Sequence, residues 1–340
     1  MRMLIAGSDE VWSLERFYVR YLAAAGVEVR TIPVQSIFYG YYNRGLINKL
    51  LFKAGLSSIG KTIGKRVETD VAEWKPDVMW VFKGMELKPD LLRRIKEQGI
   101  FLANYNPDNP FYFSGSGSGN RNISESIGIY DLHFSYDRQI CSRIGEEYKI
   151  PCRILPFGFQ LSDDLYEECR KQPEIQKGCF LGNPDEQRAK FLLELADSLA
   201  LDVYGEGWKK FVTHPNITAH PPVYGDDFWK TLARYRIQLN LMRPHNPDSH
   251  NMRSFEVPGV GGIGLFPRTP DHAGYFKENK ELFLYGDLAE CKEKAAAILK
   301  MNPTKAAGIR LAARRKSIEA GYSYQDRALQ VLAELKKFRL

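Results

Sequence analysis

Short apolar segments alternate with helical patterns from the first residues onward, and this alternation constrains the fold more than any other feature of the sequence. Residues 3–6 predict a strand, residues 14–25 a helix and residues 27–29 a second strand. Apolar runs at 77–82 and 101–105, separated by another helical segment, continue the series. In such an order, helices cover a parallel sheet. The pattern therefore predicts a parallel α/β domain.

A second series with the same alternation occupies the other half of the chain. Residues 179–181 and 201–204 predict strands on either side of a helix over 187–200. The chain has 340 residues, more than one domain usually contains. We therefore predict two doubly wound domains, 1–157 and 158–340, which bind ligands at the carboxyl ends of their strands and in the cleft between them. The sequence leaves open whether the last helix packs back on the first domain.

The charge balance favours an anionic partner. Lysine and arginine number 48 against 41 aspartates and glutamates, a net charge of +7, which suits nucleotides, phospholipid surfaces or nucleic acid. Nucleic acid is disfavoured because the sequence has no RRM, KH or helix-turn-helix signature. No apolar run reaches the roughly 18 residues of a membrane span, and the first residues lack the pattern of a secretory signal. We expect a cytoplasmic protein and leave peripheral association with an anionic membrane open.

The cysteines predict neither disulfides nor a metal site. They are five, an odd number, and stand at positions 141, 152, 169, 179 and 291. This scatter shows no disulfide framework and no closely spaced pair of the kind that binds zinc. We therefore expect free thiols in a reducing compartment.

Residues 55–62 match the phosphate-binding pattern G-x4-G-K-[ST] letter for letter. In a P-loop, backbone amides together with Lys61 and Thr62 would surround a triphosphate and its magnesium. That motif needs a buried strand before it, whereas residues 46–53 carry lysines and have helical spacing. A glycine-containing break between two helices is therefore the favoured interpretation, and a P-loop NTP-binding protein is the less favoured one.

Residues 236–265 predict a strand, a polar loop, a short helix, a glycine-rich turn and another strand. Arg253, in the loop, offers a planar fork of donors for phosphate oxygens. The carboxylate of Glu256 can accept both hydroxyl protons of a ribose, and the glycines allow close backbone approach. These groups suit a nucleotide-diphosphate sugar. The alternative interpretation of Glu256 is an exposed acid at a helix N-terminus, where the helix dipole favours it.

The same stretch resembles the nucleotide-sugar loop of GT-B glycosyltransferases, in particular their CgeB-like, spore-maturation branch. Other segments resemble that branch in the same order, and together they span nearly the whole chain. They are residues 75–84, 106–110, 155–158, 180–188, 281–287 and 322–327. Where the branch has a helix of small residues after the glutamate, this chain has Val257, Pro258 and Gly259, so we expect that helix to be shorter or kinked.

The resemblance implies the GT-B fold, with two Rossmann-like domains facing a cleft. It also implies a glycosyltransferase that moves a sugar from a UDP-, GDP- or dTDP-sugar to a hydroxyl of a glycan, lipid-linked or protein acceptor, with no metal and no cofactor. The donor-binding residues that it implies are Gly182, Arg188, Tyr204, Gly205, Asp248, Asn251, Arg253 and Glu256. Many retaining enzymes place a glutamate where Asp248 stands, so this residue does not assign the stereochemistry.

Two of these donor-binding assignments have structural alternatives that the sequence leaves open. Arg188 would equally suit a solvated helix face, and residues 204–208 would equally form a tight turn capped by a core tryptophan.

An inverting reaction needs a base on the N-terminal domain to take the acceptor proton, and Asp108 is the candidate. Asp108 could equally cap a helix or bind an acceptor hydroxyl. In a retaining reaction the departing phosphate could take that proton. Asp226 and Asp227 precede a helix, where acids act as N-terminal caps, so we expect no metal there. The histidines interpreted as polar loop groups or left unassigned, rather than as metal ligands, are His245, His250 and His272.

A second class of function stays open at this point: a non-catalytic protein of the same fold that binds nucleotide sugars or glycans. Such a protein would bind donors and form no product. An NAD-dependent enzyme is disfavoured because Gly7, Ser8 and Asp9 are not followed by the expected glycine spacing.

Overall fold

The computed structural model describes residues 1–113, 118–243, 246 and 248–338. In this part of the chain the strands form two parallel sheets of six strands each. The chain divides into two compact units, one made of Met1–Pro156 with Tyr324–Leu340 and the other of Phe157–Ser323. The predicted fold class, two doubly wound α/β units, is confirmed.

The first unit is built around a sheet that the chain enters at once. Its strands are Arg2–Ala6 (β1), Glu28–Ile32 (β2), Val78–Phe82 (β3), Phe101–Asn106 (β4), Leu132–Ser135 (β5) and Cys152–Ile154 (β6). Its helices before residue 157 are Glu15–Ala24 (α1), Val34–Tyr42 (α2), Leu46–Lys53 (α3), Ile59–Trp74 (α4), Pro89–Glu97 (α5), Arg121–Ser126 (α6) and Arg138–Tyr148 (α7). The strand order is β2-β1-β3-β4-β5-β6.

The second unit repeats this plan. Its strands are Ile175–Leu181 (β7), Leu201–Tyr204 (β8), Ile217–His220 (β9), Tyr235–Leu239 (β10), Gly264–Pro267 (β11) and Phe283–Tyr285 (β12). Its helices are Asp163–Arg170 (α8), Glu186–Leu195 (α9), Gly225–Arg234 (α10), Arg253–Gly259 (α11), Pro270–Tyr275 (α12), Leu288–Leu299 (α13) and Pro303–Glu319 (α14). The strand order is β12-β11-β10-β7-β8-β9.

The central strands are buried along their whole length because helices cover both faces of each sheet. All five residues of β3 are buried, as are all five of β10. Helix α4 turns Ile63, Val67 and Val71 toward the first sheet at the spacing of an amphipathic helix. The same alternation that predicts the fold therefore also produces its two cores.

The last helix, Tyr324–Lys336 (α15), belongs to the first unit. The ring of Tyr324 stacks on that of Phe17 with 4.7 Å between the centroids, and Glu334 forms a 3.0 Å ion pair with Arg153. The sequence placed the boundary between 157 and 158, whereas the units divide between 156 and 157. The alternative that the sequence leaves open, a last helix that packs back on the first domain, is the one that the structure has, because α15 packs against α1.

The expectation of free thiols is wrong for one pair of cysteines. Cys141 on α7 and Cys152 on β6 form a disulfide. They are eleven positions apart in the sequence. Helix α7 packs against β6 and brings the two sulfur atoms together, a contact that the spacing of the cysteines does not reveal. Cys169, Cys179 and Cys291 are free and buried.

Residues 55–62 form the break between two helices that the sequence favours. Helix α3, not a strand, precedes the segment, and Lys61 and Thr62 lie in the first turn of α4. The P-loop interpretation is therefore wrong, because the buried strand that would aim the loop at a triphosphate is not there. Among the described helices, none is both long and apolar enough to cross a bilayer.

Candidate functional site

The order of strands in the second sheet reverses between β7 and β10. Strands β8 and β9 lie on one side of this pair, and β11 and β12 lie on the other. In open parallel sheets a crevice forms at such a point, at the carboxyl ends of the strands, and ligands bind in it. The segments that follow β7 and β10 carry six of the predicted donor-binding residues: Gly182, Arg188, Asp248, Asn251, Arg253 and Glu256.

The turns after β7 and β8 touch each other closely, and two glycines make this contact. A Cβ atom on Gly205 would lie 2.5 Å from the carbonyl oxygen of Gly182, too close for any other residue. The Gly182 carbonyl accepts a hydrogen bond from Nε1 of Trp208, and its N–H donates to the Tyr204 carbonyl. Gly182 therefore shapes the turn, and its own amide is already used within the sheet.

Arg188 points inward rather than into solvent. It is 9% exposed, and its Nη2 donates to the Leu241 carbonyl at 2.8 Å. Burial lowers the pKa of Arg188 to about 10; nearby Asp185 opposes this shift, and the charges of Arg243 and Arg253 add to it. Its Nε is buried and has no hydrogen-bond partner among the described residues. The alternative of a solvated helix face is therefore wrong for Arg188. Its guanidinium lies close enough to those of Arg243 and Arg253 for their charges to act on it.

Arg253 and Glu256 form an ion pair at the start of α11. Nη1 of Arg253 donates to the Glu256 carboxylate, and its Nε donates to the Leu181 carbonyl at 3.0 Å. The guanidinium lies 4.5 Å from the ring centroid of Phe228. Glu256 is only 7% exposed, and burial raises its pKa although Arg253 opposes the shift. The alternative of an exposed acid at a helix terminus is therefore wrong for Glu256.

Asn251 positions the loop through its own side chain. Its Nδ2 donates to Oδ1 of Asn240 at 2.8 Å, and its Oδ1 accepts from the backbone N–H of Ser254. Ser254 in turn contacts Nε2 of His272 through its hydroxyl at 2.7 Å. The amide that was predicted to bind the donor is thus engaged in the network that starts α11. Asn251 therefore holds the start of α11, and with it Arg253 and Glu256, in place.

Tyr204 ends β8 beside the crevice. Its ring stacks on His220 with 4.5 Å between the centroids, and its hydroxyl shares a 2.7 Å hydrogen bond with Tyr235. Tyr235 donates onward to Asp202 at 2.6 Å. The stack of two flat rings at a strand end gives an aromatic surface of the kind that a nucleobase contacts.

Of the acids and histidines considered around the loop, Asp248 is exposed to solvent, whereas His250 and His272 are buried. Asp226 and Asp227 occupy the first turn of α10, as expected for acids at a helix N-terminus. His250 is fully buried and contacts Asp271 at 2.6 Å. Burial lowers the pKa of His272 to about 4, so this ring is neutral at pH 7. His245 lies outside the described residues.

No group of three or more potential metal-binding side chains occurs in the described part of the chain.

In the first unit, Asp108 lies just after β4 and is paired with a lysine. Nζ of Lys83 is 2.7 Å from Oδ2 of Asp108, whose side chain is 28% exposed. Lys83 directly follows β3 and has a φ of 61°, a left-handed conformation that is uncommon for a residue with a side chain. The backbone N–H of Lys83 donates to the Tyr105 carbonyl of β4 at 2.9 Å. This bond holds Lys83 close to Asp108, which follows the same strand.

Glu86, a half-buried acid in the loop after β3, is a candidate that the sequence does not reveal. Its Oε2 is buried and has no hydrogen-bond partner among the residues that the structure describes. Burial raises the pKa of Glu86 to about 7; the charge of Lys83 opposes this shift and that of Glu15 adds to it. No local pattern marks such a residue, because its burial depends on strands and helices that are distant in sequence.

The raised pKa of Glu86 predicts that the protein loses stability as the pH rises from about 4.5 to about 7. Across that range the unfolded chain releases the proton that the folded chain keeps. We expect Glu86→Gln to remove this penalty. The difference in the free energy of unfolding between the variant and wild type should therefore be about 2–3 kcal/mol more favourable to the variant at pH 8 than at pH 4. Urea unfolding at both pH values measures the difference. The exposed Glu97→Gln is the control, and an equal effect of both variants would contradict the assignment.

Comparison with known proteins agrees with this geometry. Residues 187–333 match the model of a family described as glycosyl transferase-like. Sucrose-phosphate synthase from Thermosynechococcus elongatus has 12% identity and a TM-score of 0.71, over 99% of both chains. HepE from Anabaena, in complex with UDP-glucose, has 11% identity and a TM-score of 0.64, over 99% of this chain and 100% of HepE.

An epimerase has the same architecture. UDP-GlcNAc 2-epimerase from Neisseria meningitidis, bound to UDP-GlcNAc, has 11% identity and a TM-score of 0.58, over 99% of this chain and 100% of the epimerase. A comparison with curated protein sequences finds no match. At these identities the structural similarity establishes the fold. The family match covers residues 187–323 of the second unit and continues into α15 as far as residue 333. The chain therefore has the GT-B fold, and its residues 187–333 carry a glycosyltransferase-like domain.

Proposed function

We propose that the protein is a glycosyltransferase that moves a sugar from a nucleotide-diphosphate sugar to an acceptor hydroxyl without a metal ion. The observation that carries this proposal is the set of three arginines at the switch point of the second sheet, next to the buried Glu256. Arg188, Arg243 and Arg253 supply positive charge at the strand ends, where a diphosphate would bind. The glycosyltransferase-like domain supports the same class of reaction.

The arginines would act on the leaving group. When the bond between sugar and phosphate breaks, negative charge grows on the diphosphate, and cations held in place stabilise the transition state more than the bound donor. Arg253 is held in place by the Leu181 carbonyl and the ring of Phe228. Its Nη2 makes no hydrogen bond to the residues that the structure describes, so it can donate to a phosphate oxygen.

Glu256 would bind the ribose of the donor. The carboxylate is buried, and its Oε2 already accepts a hydrogen bond from Arg253. A carboxylate has further lone pairs that can accept from other donors. Ribose hydroxyls do not change charge during the reaction. We therefore propose that Glu256 contributes to donor affinity, whereas Arg253 contributes to the chemical step.

Asp108 is the proposed base for the acceptor hydroxyl. A base must first be able to reach the proton, and the Asp108 side chain is 28% exposed. Oε2 of Glu86 is inaccessible to solvent, although the pKa of Glu86, about 7, would suit the task. Lys83 would orient the Asp108 carboxylate through their ion pair. If the reaction is retaining, the departing phosphate takes the proton and Asp108 binds the acceptor.

A UDP-sugar is the first donor to test, because HepE has been crystallised with UDP-glucose; GDP- and dTDP-sugars are the alternatives. The acceptor, a glycan, a lipid-linked molecule or a protein, is not specified by these residues. Membership of the CgeB-like branch and a cytoplasmic location also stay predictions.

We expect UDP, and UDP-sugars more strongly, to raise the melting temperature in EDTA. A ligand at a hundred times its Kd stabilises a folded protein by about 2.7 kcal/mol. Turnover of the right donor should release UDP in the same buffer, measured by coupled detection of UDP. Conversion of the sugar without release of UDP would point to an epimerase and contradict the proposal. Stabilisation without any product, across donors and acceptors, would indicate a binding protein.

A further inference from the structure

Helix α3, in the first unit, has its apolar side chains on the outside. Its most exposed residues include Leu46, Ile47 and Leu50, at 78%, 71% and 66% exposure, and the helix has no buried residue. Leu56, just after the helix, is 74% exposed and extends the same surface. Soluble monomers rarely expose apolar side chains in contiguous groups, and such a group usually marks an interaction site.

The helix is held to the first unit by aromatic contacts along one side. Phe52 lies against Phe38 and Tyr42, with ring centroids 4.9 and 5.7 Å apart. Nδ2 of Asn48 donates to the Tyr41 carbonyl at 2.8 Å. These contacts determine which side of α3 faces α2. The leucines lie on the other side of the helix and are therefore exposed to solvent.

The segment that contains α3 carries the whole charge excess of the protein. Residues 29–67 contain no aspartate or glutamate, and seven basic residues: Arg30, Arg44, Lys49, Lys53, Lys61, Lys65 and Arg66. Outside this segment lysine and arginine number 41, equal to the number of acidic residues. On α3 itself, Lys53 is exposed near these leucines, whereas Lys49 is partly buried, with its Nζ 5.3 Å from the ring centroid of Tyr42.

We propose that α3 and Leu56 form a docking surface for an anionic phospholipid bilayer. A short helix with exposed leucines and flanking lysines lies in the plane of a membrane interface, with its apolar side chains among the acyl chains and its cations at the headgroups. The absence of acidic residues in the segment removes the repulsion that an anionic surface would otherwise meet. A nucleic acid would attract the same charges but would leave the leucines in water.

A cavity opens beside this surface, on the side of α3 that faces the protein. It has a volume of about 660 Å³, and its lining includes Phe52, Leu56, Lys61 and Lys88. The lining also includes one acid, Glu86, so the two lysines leave an excess of positive charge beside the apolar walls. Such a lining suits a lipid whose headgroup carries a phosphate. The cavity therefore adds a place for a single lipid molecule at the edge of the docking surface.

The test is sedimentation of the full-length protein with vesicles and needs no donor or acceptor, so its result is independent of the proposed function. We expect binding to phosphatidylglycerol–phosphatidylcholine vesicles, weaker binding in high salt, and little binding to phosphatidylcholine alone. Replacing Leu46, Ile47 and Leu50 with serine should lower the partition coefficient about tenfold or more. Lys49→Gln with Lys53→Gln should lower it about thirtyfold, at roughly a tenfold loss per 1.4 kcal/mol.

The matched controls are substitutions of exposed side chains in the second unit. Leu311→Ser with Ile318→Ser removes exposed apolar groups of α14, and Lys277→Gln with Lys280→Gln removes two exposed charges. Both pairs should keep wild-type binding. Failure of the wild type to bind anionic vesicles, or equal binding by the serine variant, would overturn the proposal. A dimer in light scattering that the serine variant converts to a monomer, without vesicle binding, would assign the surface to a second copy instead.

Discussion

Replacing Arg253 with alanine is expected to lower kcat/KM for the donor by about two to three orders of magnitude. The variant removes a guanidinium that is held by the Leu181 carbonyl and the ring of Phe228, and thereby removes a fixed charge from the leaving diphosphate. Arg253→Lys keeps the charge but loses the fork of donors, so it should lie between alanine and wild type. The steady-state rate of nucleotide release, measured as a function of donor concentration, gives kcat/KM for wild type and both variants.

Arg253→Ala also leaves the Glu256 carboxylate buried without its partner. Breaking a buried ion pair by removing one member costs about 3–5 kcal/mol of stability, and a loss of activity from unfolding must be separated from a loss of chemistry. The double variant Arg253→Ala with Glu256→Gln removes the stranded charge. We expect it to regain much of the stability in urea unfolding and to stay as inactive as Arg253→Ala. Recovery of activity together with stability would show that Arg253 is only structural.

Glu256→Gln alone separates affinity from chemistry. If the carboxylate binds the ribose, the donor KM should rise about tenfold while kcat changes little, since this contact is equally strong in the ground and transition states. Wild type should discriminate against a 2′-deoxyribose donor, and the variant should discriminate less. The exposed Arg170→Ala, at the end of α8, is the control for surface changes. A fall in kcat with unchanged KM would contradict the assignment to ribose.

The fold could be predicted from the sequence because its signals are local. The apolar run of β3 and the spacing of Ile63, Val67 and Val71 on α4 can be read within a few residues. Their parallel arrangement follows from the alternation of strands with helices. The final position of α15 could not be predicted in this way, since it depends on a contact with α1 that spans some 300 residues of chain, as the stack of Phe17 on Tyr324 illustrates.

Part of the site could be predicted because residue chemistry and short spacing agree there. Arg253 and Glu256 are one helical turn apart, and the structure pairs them. The inward direction of Arg188 depends on the Leu241 carbonyl, 53 residues away, and periodicity does not carry that information. Arg243 could not be predicted for a similar reason. Its position in a polar loop does not indicate that its charge acts on Arg188 in the folded protein.

Helix α3 shows the limit of an apolar pattern. The sequence places Ile47, Leu50 and Leu51 on one helical face, as an ordinary core helix would. The structure exposes that face and packs the opposite side against α2. Periodicity indicates that a helix has an apolar face and does not indicate what covers it. Here the charge of the surrounding segment supplies the missing information.

Asp108→Asn is expected to lower kcat by about two to four orders of magnitude if Asp108 is the base. The amide keeps the size of the side chain but cannot take the acceptor proton, and it loses the ion pair with Lys83. Donor affinity should stay unchanged, because the residues proposed to hold the donor belong to the second unit and Asp108 belongs to the first. Single-turnover rates together with titration of the donor measure both quantities.

Two further variants decide between the remaining outcomes. Glu86→Gln should keep most of kcat, because Oε2 of Glu86 is inaccessible to solvent; if it abolishes turnover and Asp108→Asn does not, Glu86 is the base. Asp90→Asn, at an exposed position in the first turn of α5, controls for loss of an acid from this unit. If neither Asp108→Asn nor Glu86→Gln slows the chemical step, neither of these two carboxylates takes the proton. That outcome would favour transfer of the proton to the departing phosphate, and NMR of the product should then show that the sugar retains its configuration.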